Sequence, residues 1–167
     1  IDSASTLELA LERLPITRDL ALLPAPFFDE ADISRLRLPV VLPDQPEAGE
    51  IEGAAMVASW FGMQSRFRGA EFPVSFNELP MGNAVLIGTA RESFTGLTLP
   101  AIEGPMLAVV DNPRDSLGKL LLVLGRDASE VRVAAQNLVL RSDRLKGEAA
   151  NLAAFSIPAR RPYDAPR

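Results

Sequence analysis

Short apolar runs mark the strands that this sequence predicts. There are five of them, at residues 36–42, 72–76, 83–88, 106–110 and 119–124. The last two are apolar almost throughout, which is typical of strands covered on both faces of a sheet. Pro39 lies inside the first run and has no amide hydrogen to donate. We therefore expect that strand to lie at a sheet edge or to carry a bulge.

Helical spacing appears in three other segments. The first is capped by Ser3 or Ser5 and stopped by Pro15, with apolar positions at Leu7, Ala10, Leu11 and Leu14. The second runs from Glu47 to about Arg66. Its small-residue stripe predicts a face that lies close to a sheet; the stripe consists of Ile51, Ala55, Ala58 and Gly62.

The third helix begins with a capping signal. Asp127 supplies the side-chain acceptor, and Glu130 stands three residues later, where a capping box has its carboxylate. The buried stripe predicted for this helix consists of Val131, Ala134, Ala135 and Leu138. Strands interleaved with helices predict an α/β domain in helix–sheet–helix layers. Residues 111–118 are too few for a crossover helix, so the strands on either side are expected to pair antiparallel in a mixed sheet.

Composition excludes several kinds of chemistry. The 167 residues include no His and no Cys, which excludes Ser-His-Asp and Cys-His catalysis, thiolate or imidazole zinc sites and disulfides. With 17 Lys and Arg against 22 Asp and Glu, the formal charge is −5, which argues against a nucleic-acid partner. No run of about 18 apolar residues predicts a membrane span. The ends predict a piece of a longer chain, because no leader pattern opens it and residues 158–167 resemble a linker.

The two strand-to-helix turns lack the features of a phosphate cradle. Residues 43–50 contain two prolines and three acids, and residues 125–130 contain one basic residue beside a helix cap. Glycine-rich turns with free amides are what phosphate needs. We therefore expect no bound flavin or dinucleotide. Residues 111–115 are interpreted as an Asx turn rather than a metal site, because calcium needs more oxygen ligands.

The remaining candidates have structural explanations too. Ser59 lacks the flanking glycines of a nucleophile elbow. Trp60 lies on an apolar helix and is predicted to belong to the core or to an interdomain contact. Paired carboxylates for glycoside hydrolysis stay open, since any two acids can meet in space. Pro39, Gly62 and Gly125 are expected to matter for backbone geometry only. The densest basic positions are interpreted as solvated faces or as cations near helix C-termini; they are Arg66, Arg68, Arg141 and Arg144.

An ordered set of motifs resembles a known family. In chain order they are residues 23–29 (LPAPFFD), 57–62 (VASWFG), 68–74 (RGAEFPV), 79–85 (LPMGNAV), 96–100 (GLTLP), 111–113 (DNP), 120–126 (LLLVLGR) and 162–166 (PYDAP). The set resembles the periplasmic B subunit of bacterial cellulose synthase, in its first flavodoxin-like domain. The resemblance implies a flavodoxin-like sandwich at 1–157, with a mixed, mostly parallel sheet, and a linker at 158–167 toward a carbohydrate-binding β-sandwich.

The resemblance also implies a function. It implies a non-catalytic domain of a regulatory subunit at the periplasmic face of the inner membrane, held there by a C-terminal anchor outside this chain. The implied partners are the catalytic synthase subunit, the neighbouring β-sandwich domains and the glucan chain, and no catalytic, cofactor or metal residue is implied. The alternative is a cyclic di-GMP-binding regulatory module. Such binding typically uses paired arginines with a [DN]-x-S-x-x-G pattern, and Asp115-Ser116-Leu-Gly118 lacks that spacing.

Overall fold

The computed structural model describes residues 16–155. The helix predicted before Pro15 and the linker predicted at 158–167 lie outside that range. Within it are two long helices, α1 (Ala48–Ser65) and α2 (Ala128–Arg141). The strands are β1 (Leu36–Arg37), β2 (Val40–Leu42), β3 (Ala70–Glu71), β4 (Val74–Phe76), β5 (Ala84–Thr89), β6 (Met106–Asn112), β7 (Asp115–Gly125) and β8 (Ala149–Asn151).

Six strands form the main sheet, in the order β4-β2-β5-β7-β6-β8. Strands β4, β2, β5 and β7 run parallel, whereas β6 pairs antiparallel with both β7 and β8. The α/β class, the mixed sheet and the antiparallel pairing across 111–118 are therefore confirmed. Strands β1 and β3 form a separate parallel pair.

Pro39 splits the first predicted strand between two sheets. Leu38 donates its amide to the Glu71 carbonyl and Val40 donates to the Pro73 carbonyl, so the chain leaves the small pair and enters the main sheet across the proline. The Pro39 carbonyl still accepts from the Val85 amide at 2.9 Å. Strand β2 then lies between β4 and β5, so the expected edge position is wrong. The missing donor interrupts the strand instead.

Both long helices cover the same face of the main sheet. Residues alternating along β5 and β7, such as Val85 and Leu121, join the helical core residues Val57 and Val131 in one hydrophobic cluster. The face predicted for α2 is buried as expected. The face predicted for α1 is wrong, because Ile51 is 52% exposed. The buried residues of that helix are Glu50, Gly53, Val57, Trp60, Phe61 and Ser65.

The opposite face of the sheet is covered by irregular chain. Leu86 and Leu122 point to this side and pack with Phe94, Leu97 and Ile102. We call residues 90–105, which link β5 to β6, the covering segment. The predicted helix–sheet–helix layering is thus wrong for the described residues, where one helical layer and one layer of loops enclose the sheet. Period and propensity cannot reveal this layer, because its apolar residues follow no regular spacing.

Candidate functional site

Four parallel strands end at one edge of the main sheet. The chain leaves this edge after Leu42, Phe76, Thr89 and Gly125, the last residues of β2, β4, β5 and β7. Open α/β sheets bind their ligands in the crevice beyond the carboxyl ends of the strands. This carboxyl edge is therefore the place to look for a binding or catalytic site.

Asn77 holds three connections together at the carboxyl edge. Its amide donates to the Leu42 carbonyl at 2.8 Å, its Nδ2 donates to Asp44 Oδ2 at 3.1 Å, and its Oδ1 accepts from the Thr95 amide at 3.1 Å. Its φ of 51° lies in the left-handed region, which asparagine tolerates better than most residues. Our sequence reasoning missed this residue; an Asn directly after a short strand was the available signal.

A shallow cavity of about 340 Å³ opens beside Asn77. Its lining brings together carboxylates from Asp44 and Glu92 and one guanidinium, that of Arg91. The other lining residues are Pro43, Gln45, Asn77 and Ser93. Acids therefore outnumber bases at the place where a nucleotide ligand would present its phosphates.

The chain's own carboxylates occupy the helix N-termini that face this edge. Glu50 Oε2 accepts from the Glu47 amide at 2.8 Å at the start of α1. At the start of α2, Asp127 Oδ1 accepts from the amides of Ser129 and Glu130, each at 3.0 Å. The Ser129 hydroxyl, followed by the Glu130 amide, holds the pKa of Asp127 below its usual range. A phosphate at either terminus would meet a carboxyl group of the chain itself.

The capping box predicted for α2 is only half formed. Asp127 caps as predicted, but Glu130 reaches one residue too far back and accepts from the Arg126 amide at 2.8 Å. The Arg126 guanidinium also pairs with Glu130, at 2.9 Å from Nε to Oε1, and lowers the pKa of that carboxyl. The single basic residue of this turn is thereby engaged with a side chain of the same helix.

Glu50 is the most perturbed ionisable group at the carboxyl edge. Its side chain is 0% exposed, and its Oε1 has no hydrogen-bond donor. Burial, followed by the nearby Glu92 carboxyl, raises the pKa of Glu50 to about 7. This burial could not be predicted from the sequence, since a Glu at the third position of a helix is an ordinary capping residue.

Gly62 and Gly125 were both expected to matter for backbone geometry, and the structure requires glycine at only one of these two positions. A Cβ at Gly125 would lie 2.6 Å from both the Glu130 Cβ and the Val131 amide nitrogen, so only glycine fits the turn into α2. A Cβ at Gly62 would lie 3.8 Å from the Phe72 ring, which is ordinary van der Waals contact. Glycine at position 62 is therefore not required by its surroundings, and that expectation is wrong.

Residues 111–115 form the predicted turn, between β6 and β7. Asn112 Oδ1 accepts from the Arg114 amide at 3.0 Å, which closes the Asx turn. Its Nδ2 donates to the carbonyls of Pro80 and Gly82 at 2.9 and 2.7 Å. Asp115, the first residue of the segment nearest to a cyclic di-GMP pattern, accepts from the Gly82 amide at 2.9 Å. These side chains hold two loops together at the opposite end of β7 from the carboxyl edge.

The other singled-out side chains are also structural. Trp60 is 5% exposed and meets the Phe61 ring edge-on, at 4.8 Å between centroids, so it belongs to the core. Arg68 stacks over Phe28 at 4.7 Å and donates to the carbonyls of Asp29 and Glu30. It is a structural clamp rather than a solvated cation.

The remaining predicted basic positions lie where helices end. Arg66 and Arg144 fall in single 3₁₀ turns that follow α1 and α2. Arg141 occupies the last turn of α2 and lies over the Phe155 ring at 3.9 Å. These positions fit the predicted role of cations near helix C-termini.

Residues 16–155 also lack the features of two other classes of site. No group of three or more acidic side chains in that range is arranged to hold a metal ion. No helix within the same range has the length and apolar character needed to cross a bilayer.

The chain is similar in sequence to proteins named as cyclic di-GMP-binding proteins and as cellulose synthases. It is 45% identical over 179 residues to the "Cyclic di-GMP-binding protein" of Xanthomonas axonopodis pv. citri, covering 99% of this chain and 22% of that protein. It is 36% identical over 170 residues to the protein of that name in Escherichia coli K12, with the same coverages. A "Putative cellulose synthase 2" of Komagataeibacter xylinus is 45% identical over 167 residues, covering 99% of this chain and 11% of that protein.

The chain thus spans about a fifth or less of the length of these relatives. The sequence model of the family "Cellulose synthase BcsB, first FD domain" matches residues 19–152. This range includes all six strands of the main sheet and both long helices. The ordered motifs, the α/β fold and this match agree, and the chain belongs to the family of BcsB first FD domains.

Proposed function

We propose that this chain is a non-catalytic, flavodoxin-like domain of a periplasmic, membrane-anchored regulatory subunit, which supports the cellulose synthase and guides the glucan across the periplasm. Membership of the BcsB family supports the link to cellulose synthesis. The order of the parallel strands supports the likeness to flavodoxin, since β4, β2, β5 and β7 follow the 2-1-3-4 order of that fold.

The occupied helix N-termini carry the proposal. In a flavodoxin-like sheet the phosphate of the cofactor would sit where Glu50 and Asp127 accept from backbone amides. Both carboxylates would have to leave before an anion could bind there. A sheet that retains this architecture but fills its own ligand edge is suited to act as a rigid spacer between partners.

The carboxylate pair at this edge does not suit hydrolysis. Glu50 has no exposed surface, so it cannot touch a substrate. The pair therefore gives the hydrolase hypothesis no support.

An exposed apolar surface supports a role in protein contacts. Phe67 is 92% exposed and Ile33 is 89% exposed. The residues next to them in the chain are hydrogen-bonded to each other. Arg68, which follows Phe67, donates to the carbonyl of Asp32, which precedes Ile33. Replacing large apolar side chains this accessible changes the stability of the fold little. Such side chains are suited to contact another domain or subunit.

A synthase assay tests the proposal. In the full-length subunit assembled with its catalytic partner, Phe67→Glu and Ile33→Glu together are expected to lower cellulose output at least several-fold, with the melting temperature of the domain within a few degrees of wild type. Phe67→Tyr, which keeps the aromatic ring, is the matched control and is expected to retain output. Wild-type output from the double glutamate variant would contradict a supporting role for this surface.

A second candidate function comes from the names of the relatives. Those of Xanthomonas axonopodis pv. citri and Escherichia coli are called cyclic di-GMP-binding proteins. If this chain carries that activity, Arg91 is the lining residue of the carboxyl-edge cavity able to pair with a phosphate. A calorimetric titration with cyclic di-GMP distinguishes the two candidates.

A further inference from the structure

We propose that Glu50 and Glu92 form a proton-sharing carboxyl pair that latches the covering segment to the start of α1 and weakens as the pH rises through neutrality. This device is independent of the proposed function. It joins two parts of the fold that no regular secondary structure links, namely the first turn of the helical layer and the loop layer on the other face of the sheet.

The burial and hydrogen bonding of Glu50 favour the protonated form of its carboxyl group. One carboxyl oxygen, Oε2, is satisfied by the Glu47 amide at 2.8 Å. The other, Oε1, is fully buried and receives no hydrogen from any donor. A buried polar oxygen that receives no hydrogen bond destabilises the folded state. A proton on one of the two carboxyl groups removes this cost, because a carboxylic acid donates one hydrogen bond to a carboxylate.

Glu92 is the neighbouring carboxyl group that acts on Glu50, through its charge and through a side-chain hydrogen bond. Its Oε2 accepts from the Thr89 amide at 2.8 Å, which folds the side chain back over the end of β5. A Cβ at Gly88 would lie 2.9 Å from that same oxygen and 2.8 Å from the Phe94 ring. The absence of a side chain at Gly88 thus leaves the space that the Glu92 carboxyl group and the Phe94 ring occupy.

The charged surroundings favour the protonated pair. The ionisable groups that act on Glu50 are Glu92, from the covering segment, and Glu47, from the start of α1; both are acidic. Burial is the largest cause of the raised pKa of Glu50, which stands at about 7.

Within residues 16–155, no cation is among the groups that act on Glu50. From α2, whose Ala128 packs against Gly49, the nearby charged residues are Asp127, the mutually paired Arg126 and Glu130, and Arg132, which pairs with Glu52 of α1. From the β2–α1 loop, Asp44 is bonded to Asn77. Arg91 is exposed beside the cavity and is not among the groups that act on Glu50.

The sign of the pH dependence follows from the direction of the shift. The pKa of Glu50 rises from an ordinary value of 4.5 to about 7 on folding, so between these values the folded chain holds a proton that the unfolded chain has lost. The contribution of the pair to stability is full below pH 4.5 and is lost as the pH rises through about 7. The lowered pKa values of Asp32, Asp127 and Glu130 act below about pH 4.5 and leave this window clear.

Urea denaturation of the 167-residue chain from pH 4.5 to 8 tests the proposal. The unfolding equilibrium constant of wild type is expected to rise by up to about tenfold per pH unit, and by at most about 300-fold in total. Glu50→Gln, whose amide donates a hydrogen to Glu92 at every pH, is expected to flatten this dependence. Glu92→Gln is the second variant, should the first fail to fold. Glu103→Gln, in an exposed part of the same segment, is the control and is expected to keep the wild-type slope.

Hydrogen exchange locates the effect. After correction for the intrinsic pH dependence of exchange, amides of residues 90–105 are expected to lose protection between pH 5.5 and 8 in wild type but not in Glu50→Gln. Amides of β6 and β7 are expected to keep theirs. A wild-type stability that is flat or rises between pH 5 and 7.5, or a slope unchanged in both Gln variants, would overturn the proposal.

Discussion

Single residues at the carboxyl edge decide what this sheet can hold. Glu50 and Asp127 are ordinary helix-capping residues in the sequence, and in the fold they fill the two positions where an α/β sheet binds anions. The cap at Asp127 was predictable, because its signal is local. The burial of Glu50 was not, because it depends on Glu92, which is 42 residues away and reaches Glu50 only through the end of β5.

The covering segment packs tightly against Gly88. Gly88→Ala is expected to destabilise the fold by about 1–3 kcal/mol, since the new methyl would collide with the buried Phe94 ring and with Glu92. The free energy of unfolding from urea titration measures the effect.

Gly104→Ala is the matched control for that variant. A Cβ there meets nothing within 4 Å, so stability is expected to stay within about 1 kcal/mol of wild type. If both alanine variants unfolded at the same urea concentration as wild type, the tight approach at Gly88 would be refuted.

At the scale of elements, α1 shows where pattern reasoning fails. The stripe of small residues beginning at Ile51 looks suited to close packing on a sheet, yet it is the more exposed side. The close approach is instead made to α2, where a Cβ at Gly49 would lie 2.4 Å from the Ala128 carbonyl oxygen and one at Gly53 would lie 3.2 Å from Val131. Nothing in the spacing of one helix reveals which of its faces meets a second helix.

Trp60 tests the observed burial of α1. Trp60→Ala is expected to cost about 3–5 kcal/mol, because it leaves a large cavity beside Phe61 between the helix and the sheet. Met63→Ala, on an exposed side of the same helix, is expected to cost no more than about 0.5 kcal/mol. Thermal and urea unfolding measure both. An unchanged melting temperature together with lost glucan affinity in Trp60→Ala would instead make the indole a ligand contact.

The covering segment is the element that the sequence revealed least. Its apolar residues, Phe94, Leu97 and Ile102 among them, bury the second face of the sheet without helical or strand periodicity. The central strands β5, β6 and β7 were predictable, since they are buried on both faces and are apolar nearly throughout, whereas the short strands β3 and β8 fall in no predicted run. Only the sheet order shows that a layer is needed on this side, and only the contacts show that loops provide it.

At the scale of the whole molecule, the sheet has an architecture that binds nucleotides in other α/β proteins. Its own side chains, Glu50 and Asp127 among them, occupy the edge at which such ligands bind. The family and the α/β class could both be predicted from motifs and spacing, and the match to the BcsB first FD domain confirms the family. The side-chain contacts that fill the carboxyl edge could not be predicted from the sequence. They join four loops that meet only in the folded chain.

The most direct test of this account is a calorimetric titration of the 167-residue chain with cyclic di-GMP, and in parallel with flavin mononucleotide. No saturable heat is expected for either ligand, because the carboxyl groups of Glu50 and Asp127 occupy the helix N-termini at which a phosphate would bind. Saturable binding near one ligand per chain that weakens in Arg91→Ala would contradict it, and would show that the carboxyl edge is a phosphate site after all.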